Sequence, residues 1–389
     1  MRLLPFDYAV RNLARRPVRT ALGIAGNALV VLLVLAAGAF VRGMVRALEV
    51  TADEHNVILL GAGSEESIER SEIGAGVATV VAGSVRGIKN RAGVDFVSPE
   101  IQMALAVRTA ADDPEERLAI LRGVTERAFL VHRQVRLTAG RLPRGGADEV
   151  LVGALVAAKL GLPEERLGLG AELWIDGRPW RVVGTFSAPH TVMDAEIWLP
   201  LADLLVVGKR ETISCVVLTL EDPAAFSEVV AFAAQRLDLE LAALRERDYF
   251  ASLAEFFAPI RAMVGISALL IAVGGLLGGI NTMYAAFASR ARELATLQTL
   301  GFRRLALIVA LLQESLLLGA AGALPAAALG LALLDGVAIR FSMGAFGLTV
   351  DAPVLAAGLG AGLALGVLGA LPPAWRCLRL PIPAALRTA

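Results

Sequence analysis

The side chains that could bind a metal ion or act as a catalytic base are few in this sequence and lie far apart. The three histidines are His55, His132 and His190, and neither a His-Glu-x-x-His pattern nor closely spaced cysteines accompany them. His190 comes nearest to a metal site because Asp194 and Glu196 follow it, but this spacing fits a turn between strands at least as well. We therefore predict no catalytic residue, no metal site and no cofactor-binding site in this chain.

The sequence also lacks the glycine-rich loop that holds nucleotide phosphates. Gly208-Lys209 is followed by Arg210, and the upstream glycine of a phosphate-binding loop is missing. The acidic pairs Asp112-Asp113 and Glu115-Glu116 flank a proline, which is typical of a solvated turn. Basic patches with interleaved aromatic residues are missing too, which argues against nucleic-acid binding. This chain cannot hydrolyse ATP through such a loop.

A polar segment, residues 289–304, separates two long apolar runs and contains four arginines. We name it the arginine-rich segment. Three leucines recur in it every third residue, which predicts a short helix with one leucine edge and the charged residues mostly turned from it. A glycine follows, and glycine tolerates the positive φ of a helix end, so we expect a sharp reversal there. The residues of this predicted element are Arg290, Arg292, Glu293, Leu294, Leu297, Leu300 and Gly301. It is either a stiff lever between two membrane spans or a plain connector at the lipid interface.

The composition indicates that much of this chain lies within a lipid bilayer. Hydrophobic residues make up 56% of the sequence and the mean hydropathy is +0.65, whereas soluble proteins are about 45–50% apolar. A helix needs about 20 apolar residues to cross about 30 Å of hydrocarbon. The predicted spans are residues 21–41, 262–288, 305–334 and 352–375.

The arginines predict how these spans are oriented. They are frequent in residues 1–20, an amphipathic segment, in the arginine-rich segment 289–304 and in the tail 376–389. The short loop 335–351 instead has Arg340 against two aspartates. Because positive residues favour the cytoplasmic side, both termini are predicted to be cytoplasmic, and residues 42–261 and the short loop to be outside.

Two alternatives concern the N-terminus. Ala37-Gly38-Ala39 resembles a signal-peptide cleavage site, but the apolar run exceeds the 7–15 residues of such a peptide. The basic segment before the first span either anchors and stiffens that span or only fixes its orientation. The cysteines, Cys215 and Cys377, are predicted to lie on opposite sides of the membrane, which precludes a disulfide between them.

Residues 42–261 alternate between strand and helix patterns, which predicts an α/β domain. Its predicted strands are residues 56–60, 100–109, 116–123, 149–153, 171–176, 178–186, 196–199 and 213–220. Helices are predicted at residues 72–91, 223–237 and 244–257, and a hairpin turn at Asp176-Gly177. The strands clustered between residues 149 and 199 favour a second, smaller lobe. The predicted fold is therefore a membrane protein of four transmembrane helices with a large extracytoplasmic α/β domain of two lobes.

Small and polar residues within the spans are candidates for helix packing or function. Glycines recur at four-residue spacing in the second and fourth spans, and such rows let helix backbones approach closely within a bundle or across a dimer. The candidates are Gly275, Gly279, Gly358 and Gly362. Glu314 is the one acid inside a span and Asn281 lies near a span's end. Glu314 must face protein or water, in a functional role or in hydrogen bonding at a helix interface.

Four passages together carry a resemblance to a known family. The first is Asn281-Thr282-Met283 followed by Arg290-x-Arg292-Glu293-Leu294-Ala295-x-Leu297-x-x-Leu300-Gly301-x-Arg303-Arg304. The second is Arg11-Asn12-Leu13 with Arg16-Pro17-x-Arg19-Thr20. The third is Ala139-Gly140-Arg141, Asp148-Glu149-Val150-Leu151-Val152-Gly153 and Trp180-Arg181-Val182-Val183-Gly184. The fourth runs from Leu371-Pro372-Pro373-Ala374-Trp375-Arg376 to Pro383-Ala384-Ala385-Leu386-Arg387. In this order, with one span, an outer domain and three spans, the chain resembles the permeases of the MacB and FtsX superfamily of ABC transporters.

The resemblance implies several properties of this chain. In this family the permease is a dimer of identical or related chains served by cytoplasmic ATPases, which can be separate subunits and would hold the ATP and Mg. The first passage is the family's coupling segment, with Leu294-Ala295 where Ile-Gly is usual. A periplasmic adaptor and a location in the bacterial inner membrane are implied as well. The outer domain is larger than that of cell-division FtsX proteins and comparable to those of MacB-like exporters and lipoprotein-releasing permeases.

Two functions from different classes fit these observations. The first is an ABC permease that passes ATP-driven motion to its outer domain for export or extraction of a substrate. The second is a transmembrane signaller that activates an envelope hydrolase or a sensor kinase. An enzyme is disfavoured because the sequence offers no set of nucleophile and base.

Overall fold

The computed structural model of the chain describes residues 6–341 and 344–379. Arg2, Arg387 and the fourth passage from Pro383 onward lie outside the described residues. The α-helices are α1 (Phe6–Arg15), α2 (Pro17–Thr51), α3 (Val77–Ser84), α4 (Ala128–Val131), α5 (Val156–Leu160), α6 (Leu201–Val207), α7 (Phe226–Gln235), α8 (Glu246–Phe256), α9 (Ala258–Ala288), α10 (Ala291–Thr299), α11 (Arg304–Leu334) and α12 (Ala352–Leu378).

The described residues also form β-strands. They are β1 (Asn56–Gly61), β2 (Ile73–Gly74), β3 (Asn90–Arg91), β4 (Val94–Asp95), β5 (Val97–Arg108), β6 (Arg117–Val124), β7 (Arg136–Gly140), β8 (Glu149–Gly153), β9 (Glu172–Ile175), β10 (Arg178–Ser187), β11 (Glu196–Pro200), β12 (Thr212–Ile213), β13 (Cys215–Thr219), β14 (Leu241–Arg245), β15 (Ala338–Phe341) and β16 (Gly344–Gly347).

These elements form two compact units. The helical unit comprises residues up to Arg42, Pro259–Val337 and the chain from Leu348 onward, and the α/β unit comprises Gly43–Ala258 and Ala338–Gly347. Helices α2, α9, α11 and α12 are long and apolar enough to cross a membrane, which confirms the four predicted spans. Helix α2 continues to Thr51, beyond the predicted end, because the residues after the apolar run are mostly strong helix formers such as Ala, Met, Arg, Leu and Glu.

One hydrogen-bonded path of strands organises the α/β unit. Its order is β14-β1-β13-β5-β6-β11-β8-β10-β7, and β9 pairs with both β10 and β5. Strand β5 pairs with β13 along its first residues and with β6 from Ile101 to Val107. It therefore connects the half of the path that contains β1 and β13 to the half that contains β6, β8 and β10. The α/β character is confirmed, but the division into two lobes is not, because β5 is common to both halves.

Apolar side chains from this sheet form two adjoining buried cores. One core packs residues of β1 and β13 against α3 and α7, and the other packs residues of β6, β8 and β10 against α5 and α6. Leu201 and Leu205 of α6 contact both cores, which links the two halves further. Such burial supplies most of the stabilisation of a folded domain.

Several local predictions were wrong in extent. The predicted helix 72–91 is helical only in α3, because Ile73 pairs with Ile213 and the backbone turns at Gly87, where φ is +81°. Strands β7 and β14 were missed. The predicted hairpin turn is present, with φ of 49° at Asp176 and 75° at Gly177, the positive values that such a tight turn requires.

Candidate functional site

The arginine-rich segment folds as the predicted short helix and reversal. Helix α10 begins after Arg290 and ends at Thr299, with Leu300 as its C-cap residue, and the Phe302 amide donates to the Leu297 carbonyl at 3.2 Å. Gly301 has φ of +93°, a conformation that residues with a β-carbon adopt only with strain. This glycine lets the chain turn directly from α10 into α11.

One face of α10 packs inside the helical unit. Leu294 is 2% exposed and lies in an apolar cluster with Phe287 of α9, Leu307 of α11 and Ala374 of α12. Leu297 packs against the same cluster. Leu294 of the predicted leucine edge is therefore not available to a partner, because the chain's own helices cover it. The covered face ties α10 to three of the four apolar helices.

The opposite face of α10 is exposed. It consists of Arg292, Thr296, Thr299 and Leu300, and Leu300 has 71% of its surface accessible. Their spacing of four, three and one residues places them on one side of a helix. This exposed face carries one positive charge and one large apolar side chain.

Arg290 is the centre of a buried ion-pair cluster. It is 8% exposed, and its Nη1 donates to the two carboxylate oxygens of Glu314 at 2.8 and 3.2 Å. Its Nε donates to Oε2 of Glu293 at 3.2 Å. Arg290, Arg292 and Glu293 were predicted to be mostly turned from the leucine edge. The structure corrects this for Arg290, which instead neutralises the acid within α11.

Helix α1 completes this cluster. The Tyr8 hydroxyl accepts from Nη2 of Arg290 at 2.9 Å and donates to Oε1 of Glu293 at 2.7 Å, and Asn12 donates to Glu314 at 3.2 Å. We name Tyr8, Asn12, Arg290, Glu293 and Glu314 the polar cluster. Tyr8 and Asn12 were missed by the sequence analysis, although their i, i+4 spacing places both on one face of α1. Three elements thus meet at one arginine.

The electrostatics of the polar cluster favour its charged form. Burial alone lowers the pKa of Arg290, but the charge of Glu314 more than offsets this, so the pKa is raised. Burial alone raises the pKa of Glu293, but the hydrogen bond from Tyr8 and the charge of Arg290 lower it overall. Burial and Glu293 raise the pKa of Tyr8, which keeps its proton on the hydroxyl. The ion pair between Arg290 and Glu293 therefore persists at neutral pH.

The glycine row of α12 lies at a helix contact. A β-carbon on Gly358 would lie 2.5 Å from the Leu35 side chain of α2, and one on Gly362 would lie 2.7 Å from Ala323 of α11. Gly275 of α9 similarly faces Val30 of α2 at 2.6 Å. These distances are shorter than van der Waals contact, so only glycine fits without a shift.

Two further predicted residues lie apart from these contacts. A β-carbon on Gly279 would meet no atom within 4 Å among the described residues. Asn281 is exposed and does not join the polar cluster. Their predicted roles, helix packing or dimer contact for Gly279 and intramembrane function for Asn281, stay predictions.

Replacing Gly362 by leucine is expected to destabilise the helical unit by about 1–3 kcal/mol, the usual effect of overpacking. Thermal unfolding of the detergent-solubilised protein measures this. The matched control is Gly360→Leu, because Gly360 lies on the same helix and is exposed, and no neighbouring atom of the described residues lies within 4 Å of its β-carbon position. Equal midpoints for both variants would show that Gly362 is not at a tight contact.

Comparisons with known families account for most of the chain. The family described as MacB-like periplasmic core domain matches residues 20–235. The family described as FtsX-like permease C-terminal matches residues 265–382, which include the arginine-rich segment and its flanking spans. The chain belongs to the MacB and FtsX superfamily of ABC-transporter permeases. It is the membrane permease component of such a transporter, and its α/β unit is the extracytoplasmic domain.

Two solved structures are similar to parts of this MacB/FtsX-type permease. The periplasmic region of MacB from Actinobacillus actinomycetemcomitans has 14% identity and a TM-score of 0.39, and the match covers 51% of this chain and 92% of that one. The extracellular domain of the noncanonic ABC-type transporter YknZ from Gram-positive bacteria has 17% identity and a TM-score of 0.37, with 48% and 97% covered. No curated protein matches the chain.

Proposed function

We propose that this permease passes an ATP-driven conformational change from a separate cytoplasmic ATPase to its extracytoplasmic domain. This conformational change drives the export of a substrate, or its extraction, outside the inner membrane. The observation that carries this proposal is Arg290, which joins α10 to Glu314 of α11 and to Tyr8 of α1 through hydrogen bonds of 2.8–3.2 Å. A displacement of α10 then moves α11 and α1 with it.

The exposed face of α10 is the proposed docking surface for the ATPase. A short helix that lies in a groove binds mainly through a few apolar anchors, with charges at the rim. Leu300 is the anchor and Arg292 the rim charge. The packed face, with Leu294 among residues of α9, α11 and α12, transmits the force. Helix α2 is the proposed route by which this motion reaches the α/β unit, because it is one helix from Pro17 to Thr51 and its last turns belong to that unit.

The family and the distribution of charges support the proposed assembly. It consists of two permease chains, two ATPase subunits that bind ATP and Mg, and a periplasmic adaptor on the outer domains. Arginine asymmetry supports cytoplasmic termini in a bacterial inner membrane. The apolar face of α9, whose most apolar stretch is not buried within the described chain, supports contact with lipid and a second copy.

Purification of the solubilised permease tests this function. Mass spectrometry of the purified complex is expected to recover an ATPase subunit with a phosphate-binding loop. Adding lipid and ATP should then give hydrolysis that depends on the permease. A permease that purifies without any ATPase from membranes would contradict the proposal.

Impermeant thiol labelling tests the orientation of the chain. In a variant without Cys215 and Cys377, a cysteine at Glu228 should react in intact cells, and a cysteine at Arg292 should react only after the membrane is opened. Both positions are exposed in the structure, so access to reagent depends on the side of the membrane. Labelling at position 292 from outside sealed cells would overturn the orientation.

A further inference from the structure

A cavity of about 480 Å³ lies within the α/β unit. The last turns of α2, helix α8 and strands β15 and β16 provide an apolar wall, which includes Ala47, Leu253, Phe257 and Phe346. The floor is acidic and includes Glu69, Glu196 and Glu246. The cavity therefore combines an apolar surface with carboxylates.

Most of the charge at the floor is already paired. Arg122 is 4% exposed and donates to both oxygens of Glu196 at 2.7 Å and to Oε2 of Glu100 at 2.7 Å. Nε2 of His132 lies 2.8 Å from the other oxygen of Glu100. Because two carboxylates already bind Arg122, this guanidinium is not free to receive an anionic ligand.

Three groups at the floor still have bonding capacity. Nδ1 of His132 has no hydrogen-bond partner among the described residues, although the side chain is 1% exposed. Oε1 of Glu246 lies 4.0 Å from this nitrogen, while Oε2 accepts from the Asp53 amide and from Asn56 at 2.9 Å each. The half-buried carboxylate of Glu69 also lines the cavity. An unpaired buried polar atom is costly, so these groups favour a ligand that donates hydrogen bonds.

The charges of this floor are out of balance. Glu66, Glu69, Glu196 and Glu246 line the cavity together with Arg70, Arg122 and His132, and a fifth carboxylate, that of Glu100, pairs with Arg122 and His132. Burial raises the pKa of Glu246, and burial together with the charge of Glu196 raises that of Glu69. Both shifts mean that burial disfavours the ionised form of these acids, which a bound cation would stabilise.

We propose that this cavity binds an amphipathic cation, a primary ammonium joined to an apolar group. An ammonium placed over the 4.0 Å gap reaches Oε1 of Glu246 and Nδ1 of His132 together, because two hydrogen bonds of about 2.9 Å span more than that distance. Glu100 raises the pKa of His132 against the effect of burial, so binding requires loss of the Nδ1 proton, after which His132 accepts in the tautomer that carries its proton on Nε2, toward Glu100. Glu69 adds a second carboxylate, and the apolar group lies against α8 and the β15–β16 hairpin.

Competing ligand classes fit the floor less well. An anion would face an excess of carboxylates. A metal ion lacks a ligand set, because no group of three His, Cys, Asp or Glu side chains in the described residues is placed to hold one. A neutral apolar molecule would leave His132 and Glu246 unpaired. The proposal concerns the α/β unit alone and does not depend on ATPase coupling.

Calorimetric titration of the full-length, detergent-solubilised permease at pH 8 tests this site. The probes are 4-phenylbutylamine, 4-phenylbutanol and 4-phenylbutyrate, which share one apolar group and differ in charge. The amine is expected to bind at least about tenfold more tightly than the alcohol, since a charge-assisted hydrogen bond is roughly twice as strong as a neutral one. The carboxylate is expected not to bind. Amine and alcohol binding with equal affinity, or no amine binding, would overturn the proposal without any substitution.

A matched pair of variants locates the binding. Glu69→Gln keeps the shape and removes the charge, so amine affinity should fall about tenfold. Glu228→Gln changes an exposed acid on α7, which does not line the cavity, and should leave the affinity unchanged. An unchanged affinity in Glu69→Gln, or an equal loss in both variants, would contradict the assignment to this cavity.

Discussion

Replacing Arg290 by alanine is expected to destabilise the helical unit by about 3–5 kcal/mol, because removing one partner of a buried ion pair leaves the other charge unpaired. Arg290 and Glu314 are 8% and 16% exposed as side chains, and Tyr8 and Glu293 lose the same partner. ATP hydrolysis that depends on the permease should fall at least about tenfold in reconstituted membranes. Thermal unfolding and hydrolysis are the two measurements.

Two controls separate this effect from loss of a surface charge. Arg292→Ala removes an exposed arginine of the same helix and should change stability by less than about 0.5 kcal/mol. Combining Arg290→Met with Glu314→Gln removes both charges, and stability should recover in part, since no buried charge is then left alone. If Arg290→Ala unfolds at the wild-type temperature, the polar cluster does not hold the three elements together.

The two faces of α10 are expected to give opposite results in alanine variants. Leu294→Ala should lower stability by about 2–5 kcal/mol, because Leu294 is 2% exposed in a packed apolar cluster. Leu300→Ala should leave stability within about 0.5 kcal/mol and weaken ATPase binding about tenfold, as loss of an interface anchor does. Thermal unfolding and titration of the purified ATPase onto the permease check both variants.

The reverse pattern would contradict this assignment of faces. A Leu300→Ala variant that binds the ATPase with wild-type affinity would show that Leu300 is not the anchor. Loss of ATPase binding in a fully stable Leu294→Ala variant would place the docking surface on the face that the structure shows covered.

Local sequence features were sufficient to predict the four long apolar helices, the short helix α10 and the reversal at Gly301. The length of the apolar runs predicted the membrane spans, and a glycine after a periodic segment predicted the turn. The polar cluster was not predicted, because Arg290 and Glu314 are separated by a reversal and Tyr8 lies 282 residues from Arg290. Periodicity shows which residues share a face but not what covers that face. Leu294 and Leu300 therefore appeared equivalent in the sequence, although one is buried and the other exposed.

The α/β unit shows the same limit. Its alternating strands were recognisable, but helix 72–91 was predicted too long because strand pairs such as Ile73 with Ile213 form between distant segments. The buried ion pairs at the cavity floor join residues more than 20 positions apart. One signal was available: Arg122 follows the apolar run Leu118–Leu121 of β6, and a charged residue that is buried with such a run requires buried partners.

Photocrosslinking from position 300 tests most directly whether the exposed face of α10 contacts an ATPase. Benzoylphenylalanine would replace Leu300, with Glu228 as the matched site on the α/β unit, and products from intact cells would be identified by mass spectrometry. The account predicts a crosslink from position 300 to a protein with a phosphate-binding loop, and none to that protein from position 228. Products containing only lipid, or no ATPase, from position 300 would contradict it and make the arginine-rich segment a connector at the lipid interface.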